Sequence, residues 1–144
     1  NLFKKNNKKY LSYEIVEVRL KKKTATVKIK VTQPDYYVAF THAYYDYLNW
    51  YEDYYYMNNK TPLDSLAGNR LNRYVKRSIK KYGLEQKKRT VKFILQKTSR
   101  GWKIKKANNR IKDIAAMRNY QAYEEAQFCW ENNEDIDECI EIFK

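Results

Sequence analysis

Apolar and polar side chains alternate with a period of two from Ser12 onward, the spacing that places neighbours on opposite faces of a strand. Val16, Val18 and Leu20 share one face of this run, and Tyr13, Ile15, Glu17 and Arg19 share the other. Lys21, Lys22 and Lys23 form a polar turn. The cleanest alternation follows, with Ala25, Val27, Ile29 and Val31 inward and Thr24, Thr26, Lys28 and Lys30 outward. The two runs predict a β-hairpin with one wet face, and outward lysines discourage edge-to-edge pairing. A second hairpin is predicted where Val91, Phe93 and Leu95 alternate with Lys92, Ile94 and Gln96. Ser99-Arg100-Gly101 turns that chain, and Trp102 and Ile104 continue the pattern against Lys103 and Lys105.

Between the hairpins the period changes to that of helices. Pro34 ends the strand and presets φ for a helix start. Asp35 to Met57 is then free of Gly and Pro, with His42, Asp46, Asn49 and Asp53 tracing one polar stripe at spacings of four, three and four. Tyr37, Phe40, Tyr44, Leu48, Tyr51 and Tyr55, with Tyr47, Trp50 and Tyr54 beside them, make the rest of its surface aromatic. Thr61-Pro62-Leu63-Asp64 opens a second helix, which stops at Gly83. Its buried face is Leu71, Tyr74, Val75, Ser78, Ile79 and Tyr82, opposite Arg70, Arg73, Arg77, Lys80 and Lys81. The pattern is helical again from about Asn109, breaks at Asn132-Asn133, and ends in a short helix carrying Ile136, Cys139, Ile140 and Phe143.

This order predicts an α+β fold: a curved antiparallel sheet (β-hairpin, two helices, β-hairpin) packed on helices, with a C-terminal helical extension. The expected division is a domain at 1–108 and an acidic extension at 109–144 packed on or beside it. Asn1 to Lys9 reads as a tether or frayed terminus. With 144 residues, the chain suits one domain with a real core.

Charge changes the picture. Lys and Arg number 30 against 17 Asp and Glu, a net of +13. Such a surface attracts polyanions. The excess of Lys, Asn, Tyr and Ile also matches A/T-rich codon usage, which needs no partner. The distribution is polar: residues 121–144 carry eight acidic side chains and Lys144, so the remainder holds about +20. The tail can therefore fold onto the basic body, neutralise a partner, or stand as a solvated amphipathic end.

No apolar run approaches a membrane span. The chain begins at Asn1 without a signal-peptide pattern, so a targeting segment is expected to have been removed or left out. Cys129 and Cys139 are too few for a disulfide scaffold and too far apart for a CxxC motif. They are either a possible disulfide closing a short loop, worth about 2–3 kcal/mol, or two buried thiols.

Thr24 to Val31, the two helices, Val91-Lys92-Phe93-Ile94-Leu95 and Gly101-Trp102-Lys103-Ile104 resemble bacterial lipoprotein domains of the cystatin-like, or nuclear-transport-factor-like, superfamily. The likeness spans roughly residues 12–106. It implies a curved sheet around helices, often with a cavity. It also implies export and an extracytoplasmic, cell-surface location, with membrane attachment only through a removed N-terminal lipid anchor. It supplies no activity.

Candidate chemistry is sparse. His42, the one histidine, and Asp46 one turn later could act as a proton-abstracting pair, or simply begin a solvated stripe. No nucleophile elbow or oxyanion loop frames a triad. Asn133, Asp135 and Asp137 alternate like a calcium loop, but Glu138 stands where Gly is needed and Lys144 where the bidentate Glu belongs. No metal set and no cofactor motif is present in the sequence. Arg70, Arg73, Arg77, Lys80 and Lys81 form a candidate polyanion-binding helix face without any motif for a specific nucleic acid. The 15 tyrosines read as core filling with their hydroxyls at the surface, rather than as one stacking pocket. The reading that follows is a non-enzymatic extracytoplasmic binding or interaction domain of a bacterial lipoprotein, with an anionic cell-surface polymer or a protein as its partner. The alternatives are a small-molecule enzyme of the same fold using His42 and Asp46 in a cavity, and a basic polyanion-binding protein.

Overall fold

A computed structural model of the chain describes residues 2–105, 109–116 and 118–143. In chain order the elements are α1 (Leu2–Tyr10), β1 (Ser12–Lys21), β2 (Thr24–Asp35), α2 (Tyr37–Asn58), α3 (Asp64–Tyr82), β3 (Glu85–Thr98), β4 (Gly101–Ile104), α4 (Asn109–Ala115), α5 (Asn119–Glu131) and α6 (Ile136–Phe143). The class is α+β, with a curved, open antiparallel sheet in the order β1-β2-β3-β4. The described residues form two compact units. One contains residues 1–35 and 85–117, and the other residues 36–84 and 118–144. Most of the expected 109–144 extension thus groups with α2 and α3.

The sheet unit begins with a correction. Residues 2–10 are helical, not a frayed tether, and Leu11 N–H closes the last turn on Asn7 O at 2.8 Å. The segment contains no Gly, Pro or β-branched residue to resist a helix. The β1–β2 turn is the two-residue loop Lys22-Lys23, with Lys22 at φ 41°, the left-handed geometry that matches hairpin twist. Gly101 opens β4 at φ 103°, where a side chain would be strained.

Pro34 does not end β2. The strand continues to Asp35, opposite Glu85 of β3. The reason is positional: β1 begins at Ser12 opposite Thr32, so at Pro34 the missing N–H faces a side where β1 has not yet begun.

Register redistributes the side chains of β1. A bulge between Ile15 and Glu17 leaves Val16 as an extra residue. Parity reverses across it. Tyr13 opposes Val31 and Ile15 opposes Ile29, while Val18 opposes Val27 and Leu20 opposes Ala25. Directly opposed residues share a face, so Tyr13 and Ile15 join Val18 and Leu20 instead of opposing them. The same apolar face takes Val91, Phe93 and Leu95 from β3 and Trp102 and Ile104 from β4. Ala25, Val31 and Val91 at its centre are buried, whereas the apolar residues of β1 are exposed. The expectation of a half-buried β1 therefore fails: the strand is wet on both faces.

In the helical unit, α3 starts at Asp64, later than the Thr61-Pro62 signal. Leu63 is still extended at ψ 145° and makes no side-chain cap. Gly83 (φ 74°) stops the helix. On α3, Val75 and Ser78 are buried. α2 packs against α3 and α5, and α6 packs on α5 and α2. Ala122, Ala126 and Cys129 form the buried stripe of α5, small enough for close approach. Cys129 and Cys139 are fully buried and joined in a disulfide between α5 and α6. Arg118 is held at φ 62° before α5, with its guanidinium 4.0 Å from the centre of the Tyr37 ring.

Candidate functional site

The first three positions of the polar stripe on α2, His42, Asp46 and Asn49, meet partners from other helices, while Asp53 is exposed. His42 is buried, stacked on Tyr82 of α3 with ring centres 3.9 Å apart, and its Nε2 lies 3.3 Å from Asp137 Oδ1 at the start of α6. Burial lowers its pKa; Asp137 and Asp46 pull the other way. Asp46 is engaged by Arg77 Nη2 at 2.5 Å, and Asn49 Oδ1 accepts the Trp130 indole N–H at 3.1 Å. Tyr44 donates to Asn119 Oδ1 at 2.6 Å, and Tyr45 to Glu134 O at 3.0 Å. Thus the stripe ties α3, α5 and α6 to α2. His42 and Asp46 each have another partner, and that arrangement holds helices together.

The calcium-like alternation has local uses as well. Asp135 Oδ1 accepts the N–H groups of Asp137 and Glu138 at 2.9 and 3.2 Å, so it caps α6. Asp137 faces His42. Lys144 lies outside the described residues. Among the described residues, no His/Cys/Asp/Glu group is arranged to hold a metal ion. No helix among them is long and apolar enough to cross a membrane.

The cationic residues of α3 are partly spoken for. Arg70 stacks its guanidinium 5.0 Å from the Trp50 ring, Arg77 binds Asp46 and lies over Tyr74, and Lys81 donates to the Tyr82 hydroxyl. Arg73 and Lys80 face solvent.

A denser cationic array lies on the polar face of the sheet. Its rungs follow from register. Ser12, Thr32 and Lys88 form one; Glu14, Lys30 and Thr90 the next; then Glu17, Lys28 and Lys92; Arg19, Thr26 and Ile94; and Lys21, Thr24, Gln96 and Lys103. Seven cations (Arg19, Lys21, Lys28, Lys30, Lys88, Lys92, Lys103) thus share one face with two carboxylates, Glu14 and Glu17. Glu17 is paired with Arg19 at 2.5 Å. Lys28 and Lys92 are directly opposed, an arrangement that costs stability because like charges meet across strands.

Two open grooves lie along these rungs. One, of about 520 Å³, is lined by Ser12, Glu14, Lys30, Thr32, Lys88 and Thr90, with Tyr13, Val31 and Arg89. The other, of about 280 Å³, is lined by Glu17, Arg19, Lys21, Thr24, Thr26 and Lys92. Hydroxyls beside ammonium groups suit oxyanions such as phosphate or sulfate. The alternation displays the outward lysines in the sequence. What it lacks is register, which alone puts Lys28 across from Lys92 and Lys30 beside Thr90.

Comparison with known proteins gives little. No family model matches the chain, and no curated protein matches it significantly. The fold is similar to a crystal structure of a candidate lipoprotein (ycdA) from Bacillus subtilis subsp. subtilis str. 168, at 18% identity and a TM-score of 0.45. That alignment covers 79% of this chain and 34% of the other, so the chain spans about a third of that protein's length.

Proposed function

We propose that this chain is a non-enzymatic, extracytoplasmic binding domain of a lipid-anchored protein, and that it engages an anionic polymer through the polar face of its sheet. The observation that carries the binding reading is the cationic array on β1–β4. Five lysines of β2, β3 and β4 occupy neighbouring positions on one face, with Lys28 and Lys92 opposed at a cost to stability that an anionic ligand removes. A location outside the cytoplasm is supported by the buried Cys129–Cys139 disulfide, because such bonds persist in oxidising compartments. The partner's chemistry is a repeating phosphate or sulfate polymer, held by charge and hydroxyl donors without base or sugar readout.

The test is binding to heparin and to a phosphodiester polymer across a salt series, for the parent chain and two double reversals. Lys28→Glu with Lys92→Glu should weaken binding at least tenfold at low salt and lower the salt slope by about two ions. Arg73→Glu with Lys80→Glu on α3, both facing solvent, should change it less than about threefold. Unaltered binding by the sheet variant would refute the assignment of the face. Mass spectrometry of the protein purified from its native membrane tests the anchor, since an unlipidated N-terminus contradicts it.

A further inference from the structure

The sheet has two unlike edges. β4 is four residues long, but β1 offers a ten-residue edge whose hydrogen-bonded neighbour on the inner side is β2. Its polar face is exposed or half-exposed, and its apolar face is exposed too: Tyr13 71%, Ile15 58%, Val18 53% and Leu20 71%. Such an edge is a template for another strand. The charges on β1 say which strand. Along its polar face the order is Glu14, Glu17, Arg19, Lys21, acidic in the first half and basic in the second.

From this pattern we infer that β1 pairs antiparallel with β1 of a second copy of this chain, about a two-fold axis through Val18. Counting outward from Val18, with bulged Val16 sharing one position with Glu17, the steps are Glu17 and Arg19, then Ile15 and Leu20, then Glu14 and Lys21. A two-fold axis brings each residue opposite its counterpart on the other side. Glu17 therefore meets Arg19 of the second copy, adding to or exchanging with the exposed pair it makes with its own Arg19, Ile15 meets Leu20, and Glu14 meets Lys21. Charge opposes charge on the polar face, and apolar opposes apolar on the other.

Alternative registers fail on the same criterion. An axis at Arg19 sets arginine against arginine, an axis at Glu17 sets glutamate against glutamate, and parallel in-register pairing sets every charge against its like. The two-fold runs perpendicular to the sheet, so the polar faces of both copies lie on one side. The product is an eight-stranded sheet that presents the lysines of both copies on one side, flanking a charge-paired central seam. This pairing stands independently of the polymer-binding reading.

Sedimentation equilibrium of the full chain, without polyanion, tests it. The parent chain should show a reversible monomer–dimer equilibrium. Glu14→Lys with Glu17→Lys, and separately Arg19→Glu with Lys21→Glu, should each weaken self-association at least about tenfold. An equimolar mixture of the two variants should recover a dimer, with native mass spectrometry showing one copy of each. That recovery also demonstrates that both variants are folded. Val18→Lys, at the axis and already exposed, should abolish the dimer without loss of helical or strand signal. A parent chain that stays monomeric at every concentration overturns the inference. So does a dimer indifferent to these substitutions, or a mixture that stays monomeric when circular dichroism shows both variants folded.

Discussion

Replacing both Cys129 and Cys139 by alanine opens a loop whose ends are 10 residues apart in sequence. In the chain-entropy treatment, closing a loop of that size removes about 9 cal/mol/K from the unfolded ensemble, or about 2.7 kcal/mol at 25 °C. Both side chains are fully buried, so the missing sulfurs add a small cavity cost of up to roughly 1 kcal/mol. For a domain of this size, 3 kcal/mol corresponds to roughly 10 °C in melting temperature. The loss should begin at α6, an eight-residue helix with few other ties: Asp137 on His42 and the Phe128–Phe143 ring contact at 5.6 Å. The assay is urea unfolding followed by tryptophan fluorescence, paired with amide exchange of α6. The double alanine variant should lose midpoint with little change in slope, and α6 amides should exchange faster than those of α2. A variant whose unfolding free energy in urea lies within about 0.5 kcal/mol of the parent's would refute the loop-entropy account, given the size of the term it omits.

Two titrating groups predict opposite pH slopes. The folded-state pKa of His42 is lowered by burial, so the unfolded chain binds the extra proton and stability falls as pH drops below 6.5. His42→Gln should flatten that acid-side slope in urea titrations while lowering stability at every pH through the lost stack on Tyr82. Glu125 behaves in reverse. Burial raises its carboxyl to about 7 from 4.5, so the folded state holds the extra proton and stability falls as pH rises through that window. Glu125→Gln should therefore stabilise the chain above pH 7 by roughly 1 kcal/mol, less than full linkage because the carboxyl is partly exposed. Unchanged stability at pH 8 would contradict it.

Which parts of this structure could be read from the residues depends on how local the cause is. Alternation at Ala25–Val31 and Val91–Leu95 and the stop at Gly83 are set by neighbours in sequence, and those elements form where the pattern puts them. The bulge at Val16 is set by pairing with β2. Counting parity straight through it separates Tyr13 and Ile15 from Val18 and Leu20, which register unites. Pro34 misleads for a related reason: its tolerance depends on where the adjacent strand begins. The spacing of His42, Asp46 and Asn49 is plain on a helical wheel, but periodicity gives a stripe without saying what meets it. Here it meets Asp137, Arg77 and Trp130, from helices placed by tertiary contact. The cationic sheet face is legible strand by strand and becomes a site only across strands.

The pairing of Asp35 with Glu85 has a consequence for how this chain tolerates change. The polypeptide leaves the sheet and re-enters it at facing positions, whose Cα atoms lie about 5 Å apart in any antiparallel ladder. Along the chain, everything between them leaves the sheet from a single rung, and α5 and α6 then pack on α2. Lengthening or shortening that stretch alters closure entropy only logarithmically and leaves the β2–β3 ladder in phase. Length changes in the turn at residues 59–63 are thus open to descendants of this gene, which keep both the lysine pattern on the strands and the α2 surface that meets α5 and α6.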